Sequence, residues 1–209
     1  MLKAITYTEE EEKLIEGFLK SPGFDSSAWE DGQLKDLKKK IKDFYVKEQK
    51  NVCVYCRVKM PSNNGRVWDV EHVISRIENG GFMFEPRNLC VSCPDCNVSK
   101  GVKKVTNSKA KKSYPRNFII AHPHFDKYED HVKVISAGSY YFARTAKGEQ
   151  TIAVCRLNRF YEVAEYEADG IDLDEIQSLA AQLEAATTQK QRQELCRKLA
   201  VASISNIDK

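Results

Sequence analysis

The chain has 209 residues and a formal net charge of +3, enough length to bury a proper core as one domain plus an appendage. No apolar run approaches the roughly 20 residues of a membrane span, and the acidic stretch Glu9 to Glu12 is unlike a basic-then-apolar export signal, so a cytoplasmic protein without a membrane partner is expected. Seven cysteines, four of them in two C-x-x-C pairs, fit metal binding in a reducing compartment better than disulfides.

Thr8 followed by Glu11 forms a capping box, and Leu14, Ile15 and Phe18 supply an apolar face, which predicts a first helix over about 9–20. Ser21-Pro22-Gly23 ends it. Leu34, Leu37, Ile41, Phe44 and Tyr45 predict a second helix from Gln33 to Lys47, with Lys38 to Lys42 on its outer face read as solvation. These helices make an N-terminal segment, residues 1–48. Val67 to Ile74 reads as a strand with Asp69 and Glu71 on one face and His72 at its end. Gly80-Gly81 and Pro86 bracket a loop, and Asn88 to Val91 forms a second strand. A helix starts at Pro94, carries Asn97 and Lys100, and stops at Gly101.

Residues 97–125 contain no acid and hold Lys100, Lys103, Lys104, Lys109, Lys111, Lys112 and Arg116. They read as a mobile arm that follows a phosphate backbone. Val132 to Ser136 and Ser139 to Ala143 pair as strands, and Thr145 to Asn158 as a helix. In the tail, 161–209, two stripes (Leu173, Ile176, Leu179, Ala180 and Leu183, then Leu195, Leu199 and Ala202) predict an αα-hairpin. Residues 1–48 carry 9 Lys+Arg against 11 Asp+Glu, residues 49–160 carry 19 against 9, and residues 161–209 carry 5 against 10. The basic excess falls on the cysteine- and histidine-rich middle, the footprint expected for DNA.

Two close pairs, Cys53-Val54-Tyr55-Cys56 and Cys93-Pro94-Asp95-Cys96, read as a four-thiolate Zn²⁺ site. They stand farther apart than the usual ribbon spacing of about 15–20 residues, so the zinc clamps another site built between them. Cys90, three before Cys93, offers an alternative pairing. Cys155, Cys196 and, outside that pairing, Cys90 read as small buried apolar residues. Between the pairs lie Glu71-His72 and Asn88-Leu89, and Asn97 follows Cys96. In this order the residues resemble the HNH endonucleases, as an H-N-N variant. The block from His122 through Arg159 is similar to the segment after the HNH core in bacterial anti-phage nucleases, above all the HNH component of Septu-type and retron-linked systems.

The resemblance implies an α+β protein with a ββα-metal core, and favours Cys93 with Cys96. It implies a DNA endonuclease of a defence system working beside an ABC-type ATPase. By match to the family's positions it makes Glu71 and Asn97 ligands of a catalytic Mg²⁺ or Mn²⁺, with Asp69 able to share the role. It makes Asn88 the residue that orients the histidine, and Lys100 a phosphate contact. His72 suits a general base, since an unperturbed imidazole titrates near pH 6.5. A rival reading is a zinc-stabilised DNA-binding or interaction subunit whose catalysis is lost or silent without a partner. His122, His124 and His131 read as packing or surface histidines, and Tyr140-Tyr141-Phe142 as a core strand.

Overall fold

Thr8 begins the first helix, α1 (Glu9–Lys20), with both halves of the capping box in place. The Glu11 backbone N–H donates to Thr8 Oγ1 at 3.3 Å, and the Thr8 N–H donates to Glu11 Oε2 at 2.7 Å. Four glutamates in its first turn sit at the positive end of the helix dipole. Residues 1–62, 64–109, 113–159 and 173–204 are described by the computed structural model. The next helix, α2 (Lys35–Glu48), starts later than Gln33 because Gly32–Leu34 forms a tight 3-10 turn capped by Asp31. It buries Leu37, Ile41 and Tyr45. Gln49, just beyond it, donates to the Val91 carbonyl at 2.8 Å and accepts from the Val91 N–H at 2.8 Å, which ties the helix end to a strand.

That strand, β2 (Leu89–Ser92), pairs antiparallel with β1 (Asp69–His72) in the register Glu71 opposite Cys90 and His72 opposite Leu89. β1 is shorter than the expected 67–74. A 3-10 turn occupies Gly65–Val67, and beyond His72 the Val73 N–H donates to the Asn88 carbonyl as the chain turns into a loop. Helix α3 (Pro94–Lys100) follows β2 directly, capped by Cys93 and ended by Gly101 at φ +50°.

The short helix α4 (Tyr128–His131) leads into a hairpin of β3 (Val132–Ser136) and β4 (Tyr140–Ala143). Helix α5 (Ala146–Cys155) is capped by Thr145. Gly148 is required there, since a Cβ at this position would stand 1.9 Å from the His131 carbonyl oxygen. Within the tail, α6 (Leu173–Ala185) and α7 (Gln189–Ile204) pack on one another as the expected hairpin. Leu179 is buried and Leu183, Leu195 and Leu199 are half-buried. The side chains of Leu173, Ile176 and Ala202 lie outside the described residues.

Among the described residues the architecture is mixed helix with two small two-stranded sheets, an α+β arrangement. The chain divides into compact units at 1–158 and 159–209, so the helices expected as a separate segment over 1–48 belong to the first unit. Its core runs through Leu34, Ile41, Tyr45, Trp68, Val73, Met83, Leu89 and Leu157. The basic stretch is no free arm where it is described. Val105, Phe118 and Ile120 are buried, the Ile119 N–H donates to the Val105 carbonyl at 2.9 Å, and Tyr114 packs on Phe118. Apolar side chains interleaved with the lysines stitch it to the core. Among the described residues no helix is long and apolar enough to cross a membrane.

Candidate metal centre and active-site cleft

Two turns bring the cysteine pairs together. Cys53 and Cys56 lie on a tight turn in which the Cys53 N–H donates to the Val58 carbonyl at 3.0 Å and Arg57 adopts φ +60°. Cys93 and Cys96 open α3, where the Cys96 N–H donates to Cys93 Sγ at 3.4 Å and the Cys93 N–H to Cys53 Sγ at 3.4 Å. All four sulfurs are buried and lie within 4.8 Å of one another, with Cys56 and Cys93 3.8 Å apart. A tetrahedron of thiolates at a zinc–sulfur distance of about 2.3 Å has edges of about 3.8 Å, so the cluster has the dimensions and the soft donors for Zn²⁺. Backbone N–H groups aimed at sulfur favour the thiolate form that a metal needs.

Cys90 is not part of the cluster: it sits on β2 with its sulfur 3.9 Å from the Glu71 carbonyl oxygen. Cys90 and Cys155 are buried as expected, whereas Cys196 is exposed. No disulfide joins any of the seven cysteines.

A cleft of about 850 Å³ opens beside β1 and α3, and Asp69, Glu71, His72, Asn97 and Lys100 all line it. His72 is only 7% exposed. Its Nε2 lies 3.1 Å from the Met83 carbonyl oxygen, and Trp29 packs edge-on at 4.6 Å between ring centroids. Burial, aided by the positive charge of Arg76, pushes its pKa down to about 3. The imidazole is therefore neutral at neutral pH but a weaker base than the unperturbed group expected from the sequence, because burial penalises its charged form. A carbonyl oxygen only accepts, so Nε2 carries the proton and Nδ1 the lone pair.

The loop from Val73 to Arg87 that supplies Met83 is pinned by Asn88, which is fully buried. Asn88 Nδ2 donates to the carbonyls of Ile74 at 3.0 Å and Phe82 at 2.9 Å, and its Oδ1 accepts from the Ile74 N–H at 2.7 Å. Tyr114 Oη donates to the same Oδ1 at 3.0 Å and lies 2.9 Å from His122 Nε2. Asn88 thus holds both ends of the loop without touching the imidazole. His122 and His124 are buried, and the His122 ring stacks on Phe125 at 4.3 Å.

Glu71 is the more heavily engaged of the two acids on β1. Its Oε1 receives Tyr55 Oη at 3.0 Å and Lys100 Nζ at 2.7 Å, and that ammonium also donates to the His72 carbonyl at 2.9 Å. Burial pushes the Glu71 carboxyl up, with Lys100 and Tyr55 opposing it. Lys100 is therefore not the surface phosphate contact the motif implied: its side chain is 1% exposed and locked to Glu71. Asp69, half-buried, accepts from Asn97 Nδ2 at 2.9 Å. The strand alternation that puts Asp69 and Glu71 on one face delivers both to the side where α3 carries Asn97 and Lys100.

The other described basic positions of the stretch after Asn97 do not line this cleft. Lys103 donates to the Val154 carbonyl at 2.9 Å, Arg116 lies over the Phe125 ring, and Lys104 and Lys109 are exposed. Lys111 and Lys112 lie outside the described residues. The cleft is lined instead by Lys38, Lys39 and Lys42 of α2, with Arg76 and Trp29. From the sequence Lys38 to Lys42 read as a solvated face, and Arg76 and Trp29 carried no reading. The visible signal was the lysine stripe on α2, which by itself looks like any solvated face. Comparison with protein-family models, with curated proteins and with solved structures finds no match.

Proposed function

We propose that this chain is a metal-dependent DNA endonuclease of the HNH type. The observation that carries the reading is the convergence of a neutral, backbone-anchored His72 with the oxygen donors Asp69, Glu71 and Asn97 in one cleft, beside a cysteine cluster suited to zinc. His72 Nδ1 takes the proton of the attacking water, and the Nε2–H bond to Met83 holds the ring in the tautomer that this requires. Asn88 acts as a positioning residue by fixing the loop that offers the Met83 carbonyl. Carboxylate and amide oxygens suit Mg²⁺ or Mn²⁺, and Glu71 Oε2, Asp69 and Asn97 are the groups that would hold it. Such a cation would stabilise charge on the phosphate and on the departing 3′ oxygen.

Nicking of supercoiled plasmid in the presence of Mg²⁺ or Mn²⁺ tests this. His72→Ala should lose about 10²- to 10⁴-fold in rate. Wild-type cleavage by that variant removes His72 from the role of base. A second reading, a DNA-binding module without catalysis, draws on Lys100, whose ammonium already compensates Glu71. It predicts DNA binding with no nicking under either metal.

The defence role beside an ABC-type ATPase, in the cytoplasm, is supported by the likeness of residues 122–159 to anti-phage nucleases and by cysteines free of disulfides. Co-purification with such an ATPase tests it, and an ATPase that leaves this chain behind refutes it.

A further inference from the structure

We infer that one face of α2 is the wall that grips the substrate's phosphodiester backbone, with Lys38, Lys39 and Lys42 as the phosphate-binding residues; this rests on the DNA endonuclease reading and specifies where the strand lies. Lys35, Lys38, Lys39 and Lys42 recur at i, i+3, i+4 and i+7, a single stripe that flanks the buried stripe of Leu34, Leu37, Ile41 and Tyr45, with Lys38 and Lys42 half-buried at its edge. The last three lysines of that stripe line the cleft that also contains His72 and Asn97.

The heads of Lys38 and Lys42 are laid against neutral oxygens: the Trp29 carbonyl at 2.7 Å and the Gly65 carbonyl at 2.9 Å. These contacts aim the ammonium groups without neutralising them. Asp43 and Glu30 share the rim, Asp43 in an exposed pair with Lys39 at 2.5 Å and the exposed Glu30 with the half-buried Arg76 at 3.0 Å. Exposed pairs of this kind are weak and yield readily to a phosphate. Like charges one helical turn apart, such as Lys38 and Lys42, repel one another, so a polyanion that spans them relieves a cost the free protein carries. In the stretch after Asn97, Lys100, Lys103 and Arg116 are turned elsewhere, onto Glu71, the Val154 carbonyl and the Phe125 ring, and the exposed Lys104 and Lys109 do not line the cleft. DNA is the occupant that matches on charge. Each phosphate contact releases counterions, and it leaves a phosphodiester beside His72 without any demand on base sequence.

The test measures binding apart from cleavage. His72→Ala protein is titrated with a labelled DNA duplex over a range of KCl concentrations, with and without Lys39→Gln plus Lys42→Gln. The double change should weaken binding about tenfold or more and lower the slope of log affinity against log salt by roughly 0.9 per lost contact, near 2 for the pair. Lys13→Gln plus Lys20→Gln, the same charge loss on α1, should move neither quantity.

Unchanged affinity and slope in the α2 variant overturn the proposal. So does a loss that follows Lys103→Gln, Lys104→Gln and Lys109→Gln instead. Should the glutamine pair lower the melting temperature, Lys39→Arg plus Lys42→Arg must restore binding, and failure to do so also overturns it. The two readings separate cleanly. Binding through α2 without plasmid nicking keeps this inference and sinks the nuclease, while nicking with an indifferent α2 does the reverse.

Discussion

Glu71 is where the cysteine cluster and the cleft are mechanically joined. Tyr55, between the two cysteines of the first turn, and Lys100, at the end of the helix opened by the second pair, converge on one carboxylate oxygen. Lys100 then passes the constraint to the His72 carbonyl. A buried pair is poor evidence of net stabilisation, yet removing one partner leaves the other charge stranded. Lys100→Met should therefore cost about 3–5 kcal/mol in urea unfolding, and Glu71→Gln added to it should recover much of that loss. A Lys100→Met protein as stable as the parent would show that Glu71 is neutral or solvated in the folded state.

At the scale of elements, the two cysteine turns meet through four buried sulfurs, and a metal held there would lock the turns to one another. Structural zinc contributes on the order of 10 kcal/mol of folding free energy in small sites, so Cys93→Ser should lose zinc, melt far below the parent and lose cleavage with it. Zinc-free protein that remains folded and active would remove the structural role.

The segment behind Asn88 makes a second prediction. Burial pushes His122 down to about 2 and also lowers His124. Between the folded value and the unfolded value near 6.5, the unfolded chain binds the proton that the folded chain refuses. Stability is therefore full above about pH 6.5 and is lost as pH falls through that window. From pH 7 to 5.5 the loss is about 1 kcal/mol for His122. His122→Gln, which can still donate to Tyr114, should flatten the pH dependence of the urea midpoint by about one histidine's share. An unchanged dependence would mean that His122 is not buried neutral.

For the whole molecule, the division at residue 158 has an electrostatic consequence. Through Arg159 the chain carries 28 Lys+Arg against 20 Asp+Glu, net +8, while the complete chain is net +3. The tail therefore offsets much of the net positive charge that the proposed DNA binding would use. A chain ending at Arg159 keeps Leu157, which is fully buried, and should retain zinc and a cooperative melt. It should bind DNA more tightly than the full chain at low salt, with the difference fading as salt rises. Equal affinity at all salt concentrations would show that the tail's charge does not reach the cleft.

Signals that act within a few residues were legible in the sequence. The Thr8–Glu11 box set the start of α1, and the capping and helix-breaking residues around Pro94 and Gly101 set both ends of α3. Two C-x-x-C pairs announced a cluster, because few side chains other than cysteine serve that purpose at that spacing. The order Glu71-His72, Asn88, Asn97 marked β1 and α3, which line one cleft, and the buried residue that pins the loop between β1 and β2. What only the tertiary structure decided was the direction in which cations point. Lys100 is driven inside because Glu71 is buried opposite it, and the stretch up to Arg116 is folded down because Val105, Phe118 and Ile120 seek the core. The α2 lysines face the cleft because their helix's apolar side is committed to β1 and β2. A lysine's sequence neighbours set only which face of its element it occupies; what that face looks onto depends on segments tens of residues away.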